Sequence, residues 1–288
     1  ERPMSHLAVA VGFLTVSLSG SAVGSHDWPQ FRGPNAGGVS LERGLPVEFG
    51  PAKNVLWKTP LAAGNSSPCV WGDSIFLTAF DESRRLLVLC LDAGDGRMRW
   101  QREVTAERIE RVHPRVGSPA TPTPATDGQQ VYVFFGSVGV VCFDFDGRQV
   151  WKHELGPFTD HLGWGAASSP ILHGDSLILN CDHDGDSFVL ALDKGTGHVK
   201  WRTPRPDSPP SYSTPVLWEA GGQTLLVIAG SGRVDAYDLA AGKRLWDVPM
   251  PGSFVATTPT VSEHLLIVEA VDHNTATGNW GSLVQTRA

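Results

Sequence analysis

The chain writes one short phrase four times: LCLDAGDGRMRW (Leu89 to Trp100), VCFDFDGRQVW (Val141 to Trp151), LALDKGTGHVKW (Leu190 to Trp201) and DAYDLAAGKRLW (Asp235 to Trp246). Each copy has an apolar run, an Asp, a Gly four residues before a Trp, and basic or polar residues between them. A fifth tryptophan, Trp57, precedes them, and the separations along Trp57, Trp100, Trp151, Trp201 and Trp246 are 43, 51, 50 and 45 residues. A repeat of that length carrying several short strands is the pattern of a β-propeller.

One repeat read from inside supports this. SPCVW is followed by the turn GD, then SIFLTAF, the polar loop DESRR, LLVLCLD, the turn AGDG and RMRWQRE, four strand-like runs bounded by turn residues. No segment keeps a 3.6-residue apolar period, so helices should be nearly absent. The 32 Gly and 21 Pro suit many tight turns. The Asp is expected to bond backbone amides of the turn and the Gly to take a positive φ. The Trp is expected to pack between neighbouring sheets, so all five closing tryptophans are assigned a docking role.

The formal net charge of −7 and the absence of a long basic run argue against a nucleic-acid partner. LAVAVGFLTVSLSG (Leu7 to Gly20) is a short apolar stretch followed by small residues in SAVGS. It is too short to span a bilayer comfortably and reads as an export leader, residues 1–25, with a buried first element as the alternative. That places the mature protein in the periplasm or outside the cell, without a transmembrane segment. The four cysteines, at 69, 90, 142 and 181, show no metal-ligand spacing and read as buried thiols, with a disulfide as the alternative.

The form LD-x-x-T-G-x-x-x-W at Leu192 to Trp201 resembles the docking motif of quinoprotein alcohol dehydrogenase-like propellers built from PQQ repeats. DWPQFRGPNAGGVS (Asp27 to Ser40), followed by NVLWKTPL, is similar to the N-terminal strap of that superfamily. The resemblance implies a ring of seven or eight blades, a strap that crosses it, and an outer strand supplied by the strap to close it. Residues 26–57 are therefore read as strap and ring-closing strand, and 58–288 as about four full blades plus a partial one. TTPTVSEHLLIVEAV supplies two strands of the last repeat. HNTATGNWGSLVQTRA does not rebuild the Asp–Gly–Trp ending, so the chain is expected to form an open arc, a piece of a larger ring.

In such a ring, the long connections between blades share a face with the hairpins between second and third strands. This brings Arg108, Arg111, His113, Arg115, His161 and Trp164 towards one face, joined by Arg84 from a hairpin. Basic and aromatic groups on a concave face suit a protein partner, a small-molecule ligand or a glycan. In CDHDGDSF, Asp182, Asp184 and Asp186 alternate around Gly185, a pattern that suits either calcium or a plain Asp- and Gly-rich hairpin.

Superfamily enzymes hold PQQ over a vicinal disulfide with calcium at the quinone and an Asp as base. No two cysteines here are adjacent, and the calcium ligands and base do not map residue by residue. The favoured expectation is a non-catalytic exported scaffold without cofactor, similar to the propeller subunit of the outer-membrane protein assembly machinery. A PQQ- and calcium-dependent dehydrogenase and a glycan-binding propeller are the alternatives.

Overall fold

A computed structural model describes residues 27–250 apart from 114, 116 and 207, then residues 255–270 and the backbone of 282–287. The expected leader and Trp280 lie outside these residues. Four sheets have four strands each in simple meander order. The first comprises β1 (Cys69–Trp71), β2 (Ser74–Phe80), β3 (Leu86–Asp92) and β4 (Met98–Val104). The second comprises β5 (Ala125–Thr126), β6 (Gln130–Phe135), β7 (Gly139–Asp144) and β8 (Gln149–Glu154). The third comprises β9 (Ile171–His173), β10 (Ser176–Cys181), β11 (Phe188–Asp193) and β12 (Val199–Pro204). The fourth comprises β13 (Val216–Ala220), β14 (Gln223–Gly230), β15 (Arg233–Asp238) and β16 (Arg244–Pro249). The only helix among the described residues is a 3₁₀ turn, Pro34–Ala36.

The fifth sheet corrects one expectation. Beyond β17 (Thr260–Val261) and β18 (Leu265–Ala270), a third strand, β19 (Ser282–Arg287), pairs with β18 along its whole length. The segment read as a tail thus supplies a strand. Its Ser-Leu-Val-Gln-Thr run has β-forming residues, but no Asp–Gly turn announces it.

The middle strands β3, β7, β11 and β15 are buried on both faces: β7, β11 and β15 lie in sheets with a neighbour on each side, while the other face of β3 buries Leu87, Leu89 and Leu91 in a cluster with Ala79, Ile75 and Leu77. One apolar cluster fills each gap. Phe76, Val88 and Trp100 meet Val131, Val141 and Phe143 between the first and second sheets. Tyr132 and Phe134 meet Leu179 and Leu190 between the second and third. Ile178, Val189 and Trp201 meet Leu226 and Tyr237 between the third and fourth. Leu225 and Val234 meet Leu266 and Val268 between the fourth and fifth.

The repeated phrase explains how the gaps close. In each full sheet the last strand shifts register by one residue at the same place: Cys90/Leu91, Cys142/Phe143, Ala191/Leu192 and Ala236/Tyr237. The turn before the shift is held by its Asp, whose Oδ1 accepts N–H bonds from Gly94, from Asp146 and Arg148, from Thr196, and from Ala241. Gly96, Gly147, Gly197 and Gly242 take φ between 65° and 76°. The Trp of the preceding repeat lies over each of them. A Cβ on Gly242 would stand 2.3 Å from the Trp201 ring, and one on Gly197 would stand 2.5 Å from Trp151. Glycine is required twice over, for the backbone and for the ring above it.

Each indole N–H then reaches a carbonyl of the following turn. Trp57 donates to Ala93, Trp100 to Phe145, Trp151 to Lys194 and Trp201 to Leu239, at 2.7 to 3.0 Å. The acceptor lies three residues before the Gly in three repeats and two before it in VCFDFDGRQVW, the copy one residue shorter. Trp246 packs half-buried against the cluster between the fourth and fifth sheets.

Trp57 departs from expectation in one respect. Residues 55–60 form no strand, and among the described residues their backbone makes no hydrogen bond to another main-chain group. The Trp57 indole and Thr59, whose hydroxyl donates to the Gly96 carbonyl at 2.7 Å, attach the segment to the first sheet by side chains alone. β18 bonds β17 and β19, so no five-bladed ring closes through a Trp57 strand. The result is an arc of propeller blades.

The strap does cross the arc. Trp28 bridges Val70 of β1, and Thr126 of β5 donates its N–H to the Pro29 carbonyl at 2.8 Å. Leu172 of β9 donates to Gln30 Oε1 at 3.0 Å, and the 3₁₀ turn packs on β13. Arg32 reaches the carbonyls of Thr258 and Pro259 and the hydroxyl of Thr260 at the start of β17. One decapeptide touches the innermost strand of every sheet or the residues leading into it.

All four cysteines are buried and free. Burial pushes the Cys90 thiol up to about 11 and raises the other three as well, so they are inert apolar filler.

Candidate functional site

Four connections meet on one face of the second and third sheets: the β4–β5 loop, the β8–β9 loop, the β10–β11 hairpin and the β12–β13 loop. Asp160 knots them together. Its Oδ1 accepts the Leu162 N–H at 2.9 Å, and its Oδ2 accepts the N–H groups of Trp164 and Gly165 and the hydroxyl of Tyr212 at 2.7 to 3.1 Å. The Trp164 and Tyr212 rings pack with centroids 5.1 Å apart. Loop is tied to loop by the His113 N–H on the Gly163 carbonyl at 2.5 Å and by the Asp184 N–H on the Thr159 carbonyl at 2.9 Å. Phe158 stacks on the His183 ring at 4.5 Å.

A cavity of about 340 Å³ opens over this knot, lined by Arg108, Glu110, Arg111, Phe158, Asp160, His161 and Asp184 among others. A neighbouring recess is lined by Arg111, His113 and His161. The structure therefore brings together Arg108, Arg111, His113 and His161. Trp164 stands at the rim through its contact with Tyr212, and Arg115 donates its backbone N–H to His113 Nδ1. Arg84 sits apart, in the β2–β3 hairpin with its guanidinium 5.7 Å over the Phe80 ring.

The three aspartates of CDHDGDSF do not converge. Asp182 turns into the protein and meets Arg205, whose Nε donates to its Oδ1 at 2.8 Å. Its Oδ2 accepts the Ser211 hydroxyl at 2.7 Å and the Asn180 amide at 3.3 Å. Asp184 faces the cavity, where its Oδ1 bonds His161 Nδ1 at 2.8 Å. Asp186 is exposed and lines an adjoining recess with Arg202 and Ser208, to which Asp184 and His161 also contribute. Asp160, His161 and Asp184 instead bring one oxygen or nitrogen each within 4.8 Å of one another. Asp160 has both oxygens already engaged.

Three important residues carry no sequence signature. Arg205, 1% exposed, also donates to Asp235 at 2.7 Å and to the Tyr237 hydroxyl at 2.6 Å, so one guanidinium joins the third and fourth sheets. Burial opposes its charge, yet Asp182 first, then Tyr237 and Asp235, hold its pKa above the ordinary value. Glu110 is 8% exposed, and its Oε2 accepts the Ala166 N–H at 3.3 Å while its Oε1 is buried without a partner. Burial pushes this carboxyl up to about 7, with Asp160 adding to the rise against the lowering bond from Ala166. Asp160 itself looks in sequence like any loop aspartate.

The His161–Asp184 bond raises the His161 pKa, first through the hydrogen bond and then through the carboxylate charge. A raised folded pKa contributes stability below the ordinary histidine value and loses it as pH rises through the raised one. Asp184→Asn should therefore bring the His161 titration, followed by its imidazole NMR resonances, back down towards the ordinary value. An unchanged titration would mean that Asp184 does not hold the ring.

Meander sheets around a central strap, locked by Asp–Gly turns under tryptophans, define a PQQ-repeat β-propeller. The sequence profile matching residues 50–161 and 89–282 is that of the outer membrane protein assembly factor BamB, and the chain belongs to that family. It is 25% identical over 210 residues to the outer membrane protein assembly factor BamB of Burkholderia pseudomallei, covering 71% of this chain and 48% of the relative. It is 24% identical over 243 residues to a polyvinylalcohol dehydrogenase of Sphingopyxis, covering 73% and 37%. The chain thus spans about half, or less, of the curated relatives it matches. Among solved structures, the quinohemoprotein alcohol dehydrogenase of Comamonas testosteroni superposes with TM-score 0.57 at 14% identity, over 91% of this chain and 46% of that one. A europium-containing methanol dehydrogenase gives 0.55 at 14%, over 79% and 59%. These likenesses are of fold. No described helix is long and apolar enough to cross a membrane.

Proposed function

We propose that the protein is an exported, non-catalytic propeller scaffold in outer membrane protein assembly, presenting the loop face of its second and third sheets to a protein partner. The observation that supports this reading is how the polar groups of that face are spent. Asp160 is saturated by loop N–H groups and Tyr212, and Asp182 by Arg205, Ser211 and Asn180. A calcium site needs six or more oxygens free to converge, and a quinone site needs the same face open to a planar ring. The residues here do not fit that cofactor pair, whereas exposed Arg108, Arg111 and His113 on a chain of net charge −7 suit polar recognition.

The test has two arms. Purified protein titrated with PQQ and Ca²⁺ should show no change in quinone absorbance and no dye-coupled oxidation of primary alcohols. Cross-linking of a tagged chain in its own host should trap components that insert outer membrane proteins. Stoichiometric PQQ binding with dye reduction would overturn the scaffold reading. Cross-linked products devoid of outer-membrane components would overturn its assembly role.

A further inference from the structure

We propose that the cavity over Glu110 binds an organic carboxylate with a short apolar body. This goes beyond the scaffold reading and does not depend on it. The argument begins with the orphan oxygen. Glu110 is more than nine-tenths buried, its backbone N–H is used by the Ser137 hydroxyl oxygen, and its Oε2 accepts from Ala166. The oxygen that accepts an amide N–H is the unprotonated one, so a proton on this carboxyl sits on Oε1. Oε1 has no partner and its residue lines the cavity. At and below neutral pH the protonated group is therefore an O–H donor with nothing to donate to, and an unsatisfied buried polar group of this kind calls for a partner that the protein does not supply.

The other groups around the cavity agree on the sign. Its acidic members are already supplied with donors: Asp160 by three N–H groups and Tyr212, and Asp184 by His161. What remains unspent is mainly donor capacity, on Arg108, Arg111 and the Glu110 hydroxyl, beside the second oxygen of Asp184. Such a set fits an acceptor oxygen pair and is poorly matched to an amine or a metal cation. Ile109, Pro157 and Phe158 supply an apolar wall, and about 340 Å³ accommodates a carboxylate with a branched alkyl or aryl group but not a large polymer. Free acids and the C-terminal residue of a peptide share this chemistry.

The experiment is calorimetry on the whole chain with 4-methylpentanoate, 4-methylpentylamine, the peptide Gly-Gly-Gly-Leu and its C-terminal amide. The acid should bind and the amine should not. If the peptide binds and its amide does not, the ligand is a chain terminus; if only the free acid binds, it is a small molecule. Affinity for the acid should fall about tenfold from about pH 6 to about pH 8, as the Glu110 proton is lost. The charged groups facing Glu110 are Asp160, His161, Asp184 and the two arginines, while the packed β6–β7 turn, Gly136 to Val138, carries none. Because His161 also titrates, the decisive comparison is Glu110→Gln. Its amide keeps an N–H at the orphan position without a proton to lose, so binding should persist with a flatter pH profile. Arg108→Ala with Arg111→Ala, on exposed side chains that leave folding intact, should weaken the acid on the order of tenfold or more. Amine binding tighter than acid, a wild-type pH slope in Glu110→Gln, or no binding of any probe by the folded wild type would each overturn the proposal.

Discussion

Arg205→Met should remove about 3–5 kcal/mol of stability, the usual loss when one member of a buried ion network is taken away. The guanidinium is 1% exposed and is the shared partner of Asp182, Asp235 and Tyr237. Methionine fills much of its volume but leaves two buried carboxylates short of a donor. Arg233 and Arg244 also reach Asp235, at 3.1 and 3.4 Å, so the heavier penalty falls on Asp182. Urea denaturation of the single variant against Arg205→Met with Asp182→Asn separates lost packing from stranded charge. The double variant should recover part of the loss. A single-variant effect below about 1 kcal/mol would mean that water reaches the network.

Trp201→Ala should cost about 3–5 kcal/mol, in the range for truncating a large buried aromatic. Its ring covers Gly242, its N–H reaches the Leu239 carbonyl at 3.0 Å, and it joins the cluster with Ile178 and Tyr237. Trp201→Phe keeps most of the ring and loses the bond, so it should cost nearer 1 kcal/mol. Chemical denaturation of both variants tests the division. If the alanine variant loses less than about 1 kcal/mol, the third and fourth sheets are held together by something other than this side chain.

The fold was legible because its main device is local and repeated. Asp, Gly and Trp stand at fixed spacing, and each acts within one turn or on the next copy of that turn. Even the short copy at Val141 to Trp151 obeys the rule by moving its acceptor one residue closer to the glycine. The helix content and the free thiols followed from the same alternation of apolar runs and turns. β19 is not legible in the sequence because a strand without its turn looks like any polar–apolar segment. The strand expected at Trp57 rests on the resemblance of its segment to a superfamily strap, yet a strand needs a neighbouring edge, which no local pattern reports.

The loop face was legible only by position. The rule that long connections share a face groups Arg108, Arg111, His113 and His161, and these residues line two neighbouring recesses in the fold. The alternation of Asp182, Asp184 and Asp186 suggested convergence, but it could not show that Asp182 would turn inward. Its partner Arg205 lies 23 residues away, and Asp235 is a further 30 residues along. Pairing over such distances is decided by which sheets become neighbours. Glu110 has no signature in the sequence because its significance lies in an unused oxygen, a property of the packed interior alone.

The strap has a consequence for the order of events during synthesis. Trp28 to Arg32 emerge from the ribosome before the five sheets described above, but the partners of Arg32 lie 226 to 228 residues further on. Each sheet can form from its own meander as it appears, since its strands are near neighbours in the chain. The strap must wait, making contacts with β1 early and reaching Thr258 to Thr260 only after four sheets exist. Contacts that span so much chain are slow to form and raise the cost of premature collapse. A propeller built this way is assembled from local pieces and sealed by a strap made before the five sheets that it joins.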